Sequence, residues 1–312
     1  MTRSVLAMLD VRPAYTAMMA ERYDLHRLDQ VADKSAFFDE MGSKITAVVT
    51  SARFGLPAEV MDRLPNLEVI TSFGVGYDLI DLDACQARGI RVSITPDVLT
   101  DDVADTAIML MHATLRQLVH GDDWARSGKW AENGPMAMTR SVRGKKLGIV
   151  GLGRIGKEIA LRAAPSGVEI GYFGRSRKAV DYAFFESLIE LADWADILML
   201  SCPGGDATKG IIDAQVLSAL GSNGFLINVA RGSVVDEPAL IAALQRKVIA
   251  GAGLDVFYNE PKIDPAFAGL DNVILYPHAA SGTVETRDAM GQLVVDNLNA
   301  WDDRGELITP IV

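Results

Sequence analysis

The chain has 312 residues, of which 49% are hydrophobic, and its formal net charge is −11. This size and apolar content predict two domains, and the acidic charge argues against nucleic acid or an anionic membrane as a partner. Cys85 and Cys202 lack the spacing of a disulfide framework or a zinc site, so we expect no metal and a cytoplasmic protein with reduced thiols. The first apolar run, Val5 to Leu9, is too short for a signal peptide, and no other run is long enough to span a bilayer.

The first hundred residues alternate short apolar runs with helical patterns, which predicts a small parallel α/β domain. The predicted strands are Val5–Leu9, Leu25–Leu28, Ala47–Thr50, Leu67–Ser72 and Ile90–Ser93. Apolar residues then recur at helical spacing from Asp101 to Arg126. We expect one long helix there, leading out of the first domain.

A glycine-rich motif follows an apolar strand that begins at Lys145. The strand leads directly into Gly151, Gly153 and Gly156, and a helical stretch follows. In this order Gly151 permits a tight turn, Gly153 lets the backbone approach a pyrophosphate, and Gly156 lets helix and strand pack closely. The segment therefore predicts a dinucleotide site, with contacts from Leu152, Gly153, Arg154, Ile155 and Gly156.

The next predicted strand, Val168–Phe173, ends without the acidic residue that binds the ribose hydroxyls of NAD. Arg175, Ser176, Arg177 and Lys178 stand in that position, roughly 20 residues beyond the glycines. Arginine can bind a phosphate with two parallel hydrogen bonds, and serine can donate its hydroxyl. The turn thus predicts recognition of the 2′-phosphate of NADP. A solvated basic turn is the alternative.

Further strands complete six parallel strands of a doubly wound sheet. They are predicted at Ile197–Ser201, Gly224–Ala230, Ala250–Leu254 and Val273–Tyr276. A final helix, about Glu285 to Trp301, returns to the first domain. We therefore predict an α/β protein with two doubly wound, Rossmann-like parallel sheets: a flavodoxin-like substrate domain at 1–99 and 286–312, and an inserted NADP-binding domain at 100–285.

Charged side chains follow three of these strands, at the sheet edge where ligands bind. They are Arg231, Asp255 and His278, with Glu260 five residues after the aspartate. A guanidinium can hold a substrate carboxylate, an imidazole can give a proton to a carbonyl oxygen, and a carboxylate can orient that imidazole. The set predicts reduction of a 2-oxo acid. The alternatives are a structural ion pair for Arg231 and a loop histidine for His278.

The chain resembles the D-isomer-specific 2-hydroxyacid dehydrogenases. The resemblance rests on the segments 148–156, 172–178, 226–232, 251–257 and 277–287, and it extends over essentially the whole sequence. It implies that Arg231, Glu260 and His278 are catalytic, with Arg231 and His278 also contacting substrate and cofactor, and that Asp255 is a partner of the nicotinamide carboxamide. It also implies that the backbone amides of Val75 and Gly76 bind the substrate carboxylate. The remaining implied cofactor contacts are Cys202, Pro203, Thr208, Val229, Ala230 and Ala280.

Within that family, the resemblance is to NADPH-dependent glyoxylate, hydroxypyruvate and hydroxyphenylpyruvate reductases. It implies reduction of small 2-oxo acids to D-2-hydroxy acids with NADPH. An aryl-pyruvate reductase and a nucleotide-sensing corepressor-like scaffold are the alternatives.

We also expect a homodimer, because the apolar helix 103–118 and the arm Trp124–Met138 would otherwise expose a large patch. Arg53 is expected to be a surface arginine rather than a substrate ligand, and Trp130 a packing residue in the core or at an interface.

Overall fold

The computed structural model describes residues 2–312, and these form two compact units. The first unit contains the chain up to Leu99 together with Gly282–Val312, and the second contains Thr100–Ser281. Each unit has its own parallel sheet. The prediction of two parallel-sheet α/β domains is therefore confirmed.

The first unit is built on five parallel strands in the order β2-β1-β3-β4-β5. The strands are β1 (Ser4–Ala7), β2 (Asp24–Arg27), β3 (Ile45–Thr50), β4 (Val69–Ser72) and β5 (Arg91–Ser93). The helices between them are α1 (Pro13–Arg22), α2 (Lys34–Met41), α3 (Ala58–Met61) and α4 (Leu82–Ala87). Strands β1 and β4 are buried at every residue, as expected for a parallel sheet that is covered on both faces.

The second unit has seven parallel strands in the order β12-β11-β10-β9-β6-β7-β8. Its helices are α5 (Thr100–Leu115), α6 (Leu118–Arg126), α7 (Lys129–Asn133), α8 (Arg154–Ala163), α9 (Leu188–Trp194), α10 (Ala214–Leu220) and α11 (Glu237–Gln245). Its strands are β6 (Lys146–Val150), β7 (Glu169–Phe173), β8 (Ala183–Phe185), β9 (Ile197–Leu200), β10 (Phe225–Asn228), β11 (Gly251–Leu254) and β12 (Val273–Leu275). The strand order reverses between β6 and β9, and in such sheets a ligand crevice opens at that point.

The chain then returns to the first unit as helix α12 (Val284–Arg304), whose first turn is capped by the hydroxyl of Thr283. This helix packs on β4 and α1. Trp301 on α12 is almost completely buried.

Two predictions about elements were wrong. The expected helix over 101–126 is two helices, because Gln117 adopts a left-handed backbone with φ 49°, which interrupts the helix between Leu115 and Leu118. The predicted six-stranded sheet has a seventh strand, β8, which contains only three residues at the edge of the sheet. A strand this short lacks the alternation from which strands are predicted. Across residues 2–312, no helix combines the length and the apolar character needed to cross a membrane.

Candidate active site

The glycine-rich loop lies between β6 and α8, and its glycines differ in the space around them. A Cβ atom on Gly151 would lie 2.7 Å from the Cα atom of Cys202, and one on Gly156 would lie 2.2 Å from the carbonyl oxygen of Gly151. A Cβ atom on Gly153, by contrast, would meet no atom within 4 Å. Close packing thus explains Gly151 and Gly156, whereas the space at Gly153 fits an approaching phosphate group.

Helix α8 begins just after Gly153 and has no side-chain cap. A helix N-terminus of this kind favours an anion, since its first amide groups point outward along a favourable dipole. Leu152 is buried, Ile155 is half-buried, and Arg154 is exposed. The loop therefore fits the pyrophosphate of a dinucleotide.

The basic turn after β7 is exposed from Arg175 to Lys178. The backbone amide of Lys178 donates to the Tyr172 hydroxyl at 2.6 Å, and the Lys178 Nζ atom lies 3.2 Å from the Ser176 hydroxyl. The Arg177 guanidinium lies over the ring of Phe184 at 5.7 Å. These contacts order a turn whose cationic groups face solvent, and a 2′-phosphate fits this donor set.

The other predicted cofactor contacts also follow strands of the second unit. Cys202 and Pro203 follow β9, and the Thr208 hydroxyl donates to the Pro203 carbonyl oxygen at 2.7 Å. Val229 and Ala230 follow β10 and are buried, as are Cys202 and Ala280. Burial raises the pKa of the Cys202 thiol to about 11. The thiol is therefore protonated at neutral pH, which fits a wall residue rather than a nucleophile.

His278 and Glu260 form a direct pair in the second unit. The His278 Nδ1 atom lies 2.5 Å from the Glu260 Oε2 atom, and the Phe257 amide donates to Oε1 at 2.9 Å. Burial opposes ionisation of Glu260, but the hydrogen bonds from His278 and Phe257 and the charge of Arg231 outweigh it and hold its pKa below the ordinary value. The ionised carboxylate therefore accepts from Nδ1, and the Nε2 atom remains available to a substrate.

Arg231 follows β10 in a turn that is held by Asn228. The Asn228 side chain accepts from the Ala230 amide and donates to the Arg231 carbonyl oxygen, both at 3.0 Å. The Arg231 guanidinium donates to the Ala230 carbonyl oxygen at 2.7 Å. Since β10, β11 and β12 are neighbours in the sheet, the structure brings Arg231, Glu260 and His278 to one edge.

Gly232 is a site residue that the sequence reasoning missed. A Cβ atom here would lie 2.0 Å from the carbonyl carbon of Phe257, so only glycine lets the loop bearing Glu260 pack on the turn bearing Arg231. The same loop is also held by the Tyr258 amide, which donates to the Glu237 carboxylate at 2.9 Å. The only signal in the sequence was a glycine directly after the arginine.

Asp255 is buried and anchors the loop that carries His278. Its carboxylate accepts from the amides of Ala279 and Ala280 at 2.8 and 3.3 Å, and its carbonyl oxygen accepts from the His278 amide at 2.7 Å. Burial raises the pKa of Asp255 in spite of these hydrogen bonds. Its predicted contact with a nicotinamide carboxamide stays a prediction.

The predicted substrate turn lies in the first unit, directly after β4. The Gly74 amide donates to the Thr95 hydroxyl at 3.0 Å, and the Thr95 amide donates back to the Gly74 carbonyl oxygen at 2.9 Å. Within residues 2–312, neither the Val75 nor the Gly76 amide hydrogen has an acceptor. These two groups are therefore available to an anion.

Three further sequence predictions concern residues away from these loops. Arg53 is exposed, and its guanidinium lies 5.9 Å from the ring of the adjacent Phe54. Trp130 is 64% exposed, so packing in the core of its own unit is excluded. No group of histidine, cysteine and acidic residues in the described chain, 2–312, is arranged to hold a metal ion.

Comparison with known proteins identifies the family. Residues 108–280 match the family described as D-isomer specific 2-hydroxyacid dehydrogenase, NAD binding domain. The chain belongs to this family. It is a 2-hydroxyacid dehydrogenase with a dinucleotide-binding domain, and the prediction of an oxidoreductase is confirmed.

Two curated relatives and one solved structure are similar over nearly their whole length. Glyoxylate/hydroxypyruvate reductase A of Arabidopsis thaliana is 46% identical, over 94% of each chain. Hydroxyphenylpyruvate reductase of Plectranthus scutellarioides is 44% identical over 99% of this chain and 98% of its own. The NADPH-dependent glyoxylate/hydroxypyruvate reductase of Sinorhizobium meliloti, crystallised with NADP and malonate, superposes with a TM-score of 0.94 at 43% identity, covering 100% of this chain and 97% of that one.

Proposed function

We propose that the protein reduces small 2-oxo acids, glyoxylate and hydroxypyruvate first, to D-2-hydroxy acids with NADPH. The observation that carries this proposal is the hydrogen bond between the His278 Nδ1 atom and the Glu260 Oε2 atom, at 2.5 Å. This pair lies at the sheet edge that also bears Arg231. The glycine-rich loop follows a strand of the same sheet. All three proteins named above are reductases, which leaves the scaffold alternative without support.

NADPH is the proposed cofactor because of the turn after β7. Arg175, Ser176 and Arg177 offer two guanidinium groups and a hydroxyl, and no carboxylate occupies the turn to repel a 2′-phosphate. The relative from Sinorhizobium meliloti, described as NADPH-dependent, supports this choice. When bound, the reduced nicotinamide supplies a hydride to the carbonyl carbon of the substrate.

The proton for the carbonyl oxygen comes, in this proposal, from the Nε2 atom of His278. Glu260 accepts the hydrogen bond from Nδ1, which fixes the ring and stabilises the charged imidazolium before the proton leaves. After the transfer a neutral imidazole remains, still hydrogen-bonded through Nδ1. Asp255 holds the loop of this histidine and is the proposed partner of the carboxamide.

Arg231 has the proposed role of binding the substrate carboxylate and carbonyl oxygen. A guanidinium can make two parallel charge-assisted hydrogen bonds to such a group. The amides of Val75 and Gly76 are proposed as further ligands of the carboxylate, a proposal supported by their free hydrogens. Leu152–Gly156, Cys202, Pro203, Thr208, Val229, Ala230 and Ala280 are the proposed remaining contacts to the cofactor.

An aryl-pyruvate substrate is the second candidate. The 44% identity to hydroxyphenylpyruvate reductase over nearly the full length of both chains favours it. The experiment that tests both is NADPH oxidation with glyoxylate, hydroxypyruvate and 4-hydroxyphenylpyruvate. The highest kcat/KM for either small acid supports the first proposal, the highest value for the aryl acid supports the second, and oxidation with none of the three contradicts both.

We further propose a homodimer in the cytoplasm. The segment 118–138, which follows α5 and includes the arm Trp124–Met138, exposes four large apolar side chains: Leu118, Val119, Trp130 and Met138, which are from 60% to 99% exposed. An apolar group of this kind on one segment is typical of an interface. The cytoplasmic location is supported by two buried, unpaired cysteines, which suit a reducing compartment.

A further inference from the structure

A cleft of about 440 Å³ lies on the second unit, away from the loops described above. It is lined by the C-terminal part of α5, the segment before β6 and the turn before β7, including His112, Arg116, Arg140, Arg143 and Ser166. Because β6 and β7 are parallel, the segments before them lie at the amino edge of the sheet, whereas Gly151 lies at the carboxyl edge. A strand of five residues separates these edges by about 16 Å.

The charge of this cleft is unusual for so acidic a protein. The chain has 41 acidic and 30 basic residues, yet three arginines and no carboxylate line the cleft. Arg116 donates to the Thr139 hydroxyl at 2.9 Å, and Arg140 donates to the Asn223 side-chain oxygen at 3.2 Å. Within residues 2–312, no carboxylate forms an ion pair with any of the three arginines.

The other polar groups of the cleft add hydrogen-bond donors. The His112 Nε2 atom lies 3.2 Å from the Ser166 hydroxyl, and Ser141 is also among the residues that line the cleft. Guanidinium groups with hydroxyls beside them are the donor set that binds phosphate oxygens. The volume lies in the range of sites that hold small molecules.

We propose that this cleft is a second anion site, which binds a small phosphate-bearing molecule independently of the dinucleotide. Neutral hydrogen-bond partners hold Arg116 and Arg140 in place without neutralising them, so their charge remains available to a ligand. The site shares no residue with the proposed active site. It therefore goes beyond the proposed reductase activity.

The test is isothermal titration of the full-length protein with inorganic pyrophosphate and, separately, with ribose 5-phosphate. Saturating NADPH is present throughout, so that neither probe can bind to the glycine-rich loop or the turn after β7. We expect saturable binding of at least one probe. Tighter binding of pyrophosphate indicates a free inorganic anion as the ligand, and tighter binding of ribose 5-phosphate indicates a phosphorylated metabolite.

Two variants locate the binding, and a third is the matched control. Arg116→Gln and Arg140→Gln should each weaken binding about tenfold or more, because each removes a charge-assisted contact. Arg246→Gln removes the same charge from an exposed residue of the same unit, outside the cleft, and should leave binding within about twofold. Kinetic constants with NADPH should be unchanged in all three variants, which separates this result from any failure of the proposed reductase activity.

Two results would overturn the proposal. One is the absence of binding of either probe to the wild-type protein. The other is a failure of the variants to locate the site. Equal affinity in wild type, Arg116→Gln and Arg140→Gln would show that the anion binds elsewhere. An equal loss of affinity in Arg246→Gln would show that binding responds only to net charge.

Discussion

His278 has a backbone conformation that histidine adopts only occasionally. Its φ of 48° lies in the left-handed region, and residues held there are often found at functional sites. The hydrogen bonds from its amide to the carbonyl oxygens of Asp255 and Tyr276 maintain this conformation. Backbone hydrogen bonds thus hold the loop that carries His278. The imidazole is bound through Nδ1 to Glu260, which leaves its Nε2 atom accessible to a substrate.

The charge of Glu260 gives a prediction for the pH dependence of reduction. The pKa of Glu260 lies below the ordinary value. The ionised carboxylate and its pairing with His278 therefore stabilise the folded protein at neutral pH, and this stabilisation is lost as pH falls through the lowered pKa. In Glu260→Gln a neutral amide no longer stabilises the imidazolium. The alkaline limb of the kcat profile for glyoxylate reduction should therefore move to lower pH, with the KM for NADPH within about twofold of wild type.

Glu169→Gln is the control for this measurement, since Glu169 is an exposed acid at the start of β7. Its profile should match that of wild type. A Glu260→Gln profile that superimposes on the wild-type profile would show that another group stabilises the proton donor.

At the scale of elements, the β6–α8 loop separates structural from functional glycines. Gly153→Ala adds a methyl group in open space, so the free energy of unfolding should fall by less than about 1 kcal/mol. The Kd for NADPH should nevertheless rise at least tenfold, because the methyl group would occupy the space proposed for the pyrophosphate. Urea unfolding and fluorescence titration measure the two quantities.

Gly151→Ala is the matched comparison. Its Cβ atom would lie 2.7 Å from backbone at a φ of 96°, so it should destabilise the protein by more than about 1 kcal/mol. Similar stability losses in the two variants, or unchanged NADPH affinity in Gly153→Ala, would contradict this account of the loop.

The turn after β7 carries the prediction for cofactor preference. Wild type should prefer NADPH over NADH at least tenfold in kcat/KM, because charge-assisted contacts are worth about 1.5–3 kcal/mol each. Arg175→Asp should shift this preference toward NADH, since a carboxylate repels the 2′-phosphate and can accept from a ribose hydroxyl. Steady-state rates with both cofactors decide it, and equal efficiency of wild type with NADH would contradict the prediction.

The sequence predicts elements well where the signal is local, and less well where it depends on neighbours in space. The strands of the first unit begin and end within about two residues of their predicted bounds, because buried apolar runs are local. The break at Gln117 was missed because no proline or glycine marks it. Gly232 and Asn228 were missed because their roles depend on Phe257 and on the turn of Arg231, contacts that no spacing in the sequence reveals.

At the scale of the whole molecule, exposed apolar side chains mark the surface that is available to a partner subunit. The prediction places an apolar surface on the helix 103–118 and the arm Trp124–Met138. Val103, Ala107, Leu110 and Met111 on α5 are buried and do not contribute to that surface. The large apolar side chains that are exposed in and between these segments are Met109, Leu118, Val119, Trp130 and Met138.

The dimer prediction therefore concerns the exposed segment 118–138. Wild type should be a dimer at micromolar concentration, and Leu118→Asp combined with Val119→Asp should shift it toward monomer without a loss of secondary structure, because both side chains are at least 60% exposed. Light scattering coupled to size exclusion measures the mass. A monomeric wild type would contradict the prediction, as would a double variant that remains fully dimeric.

The central claim is that this chain is a 2-oxo acid reductase in which His278 donates the proton. The most direct measurement is kcat for glyoxylate reduction by NADPH in wild type and His278→Ala, with NADPH affinity measured in parallel by fluorescence. We expect kcat to fall by roughly 10²–10⁴ while the affinity for NADPH stays within about twofold. Near-native turnover in His278→Ala, or a wild-type protein that binds NADPH but oxidises it with no 2-oxo acid, would contradict the account.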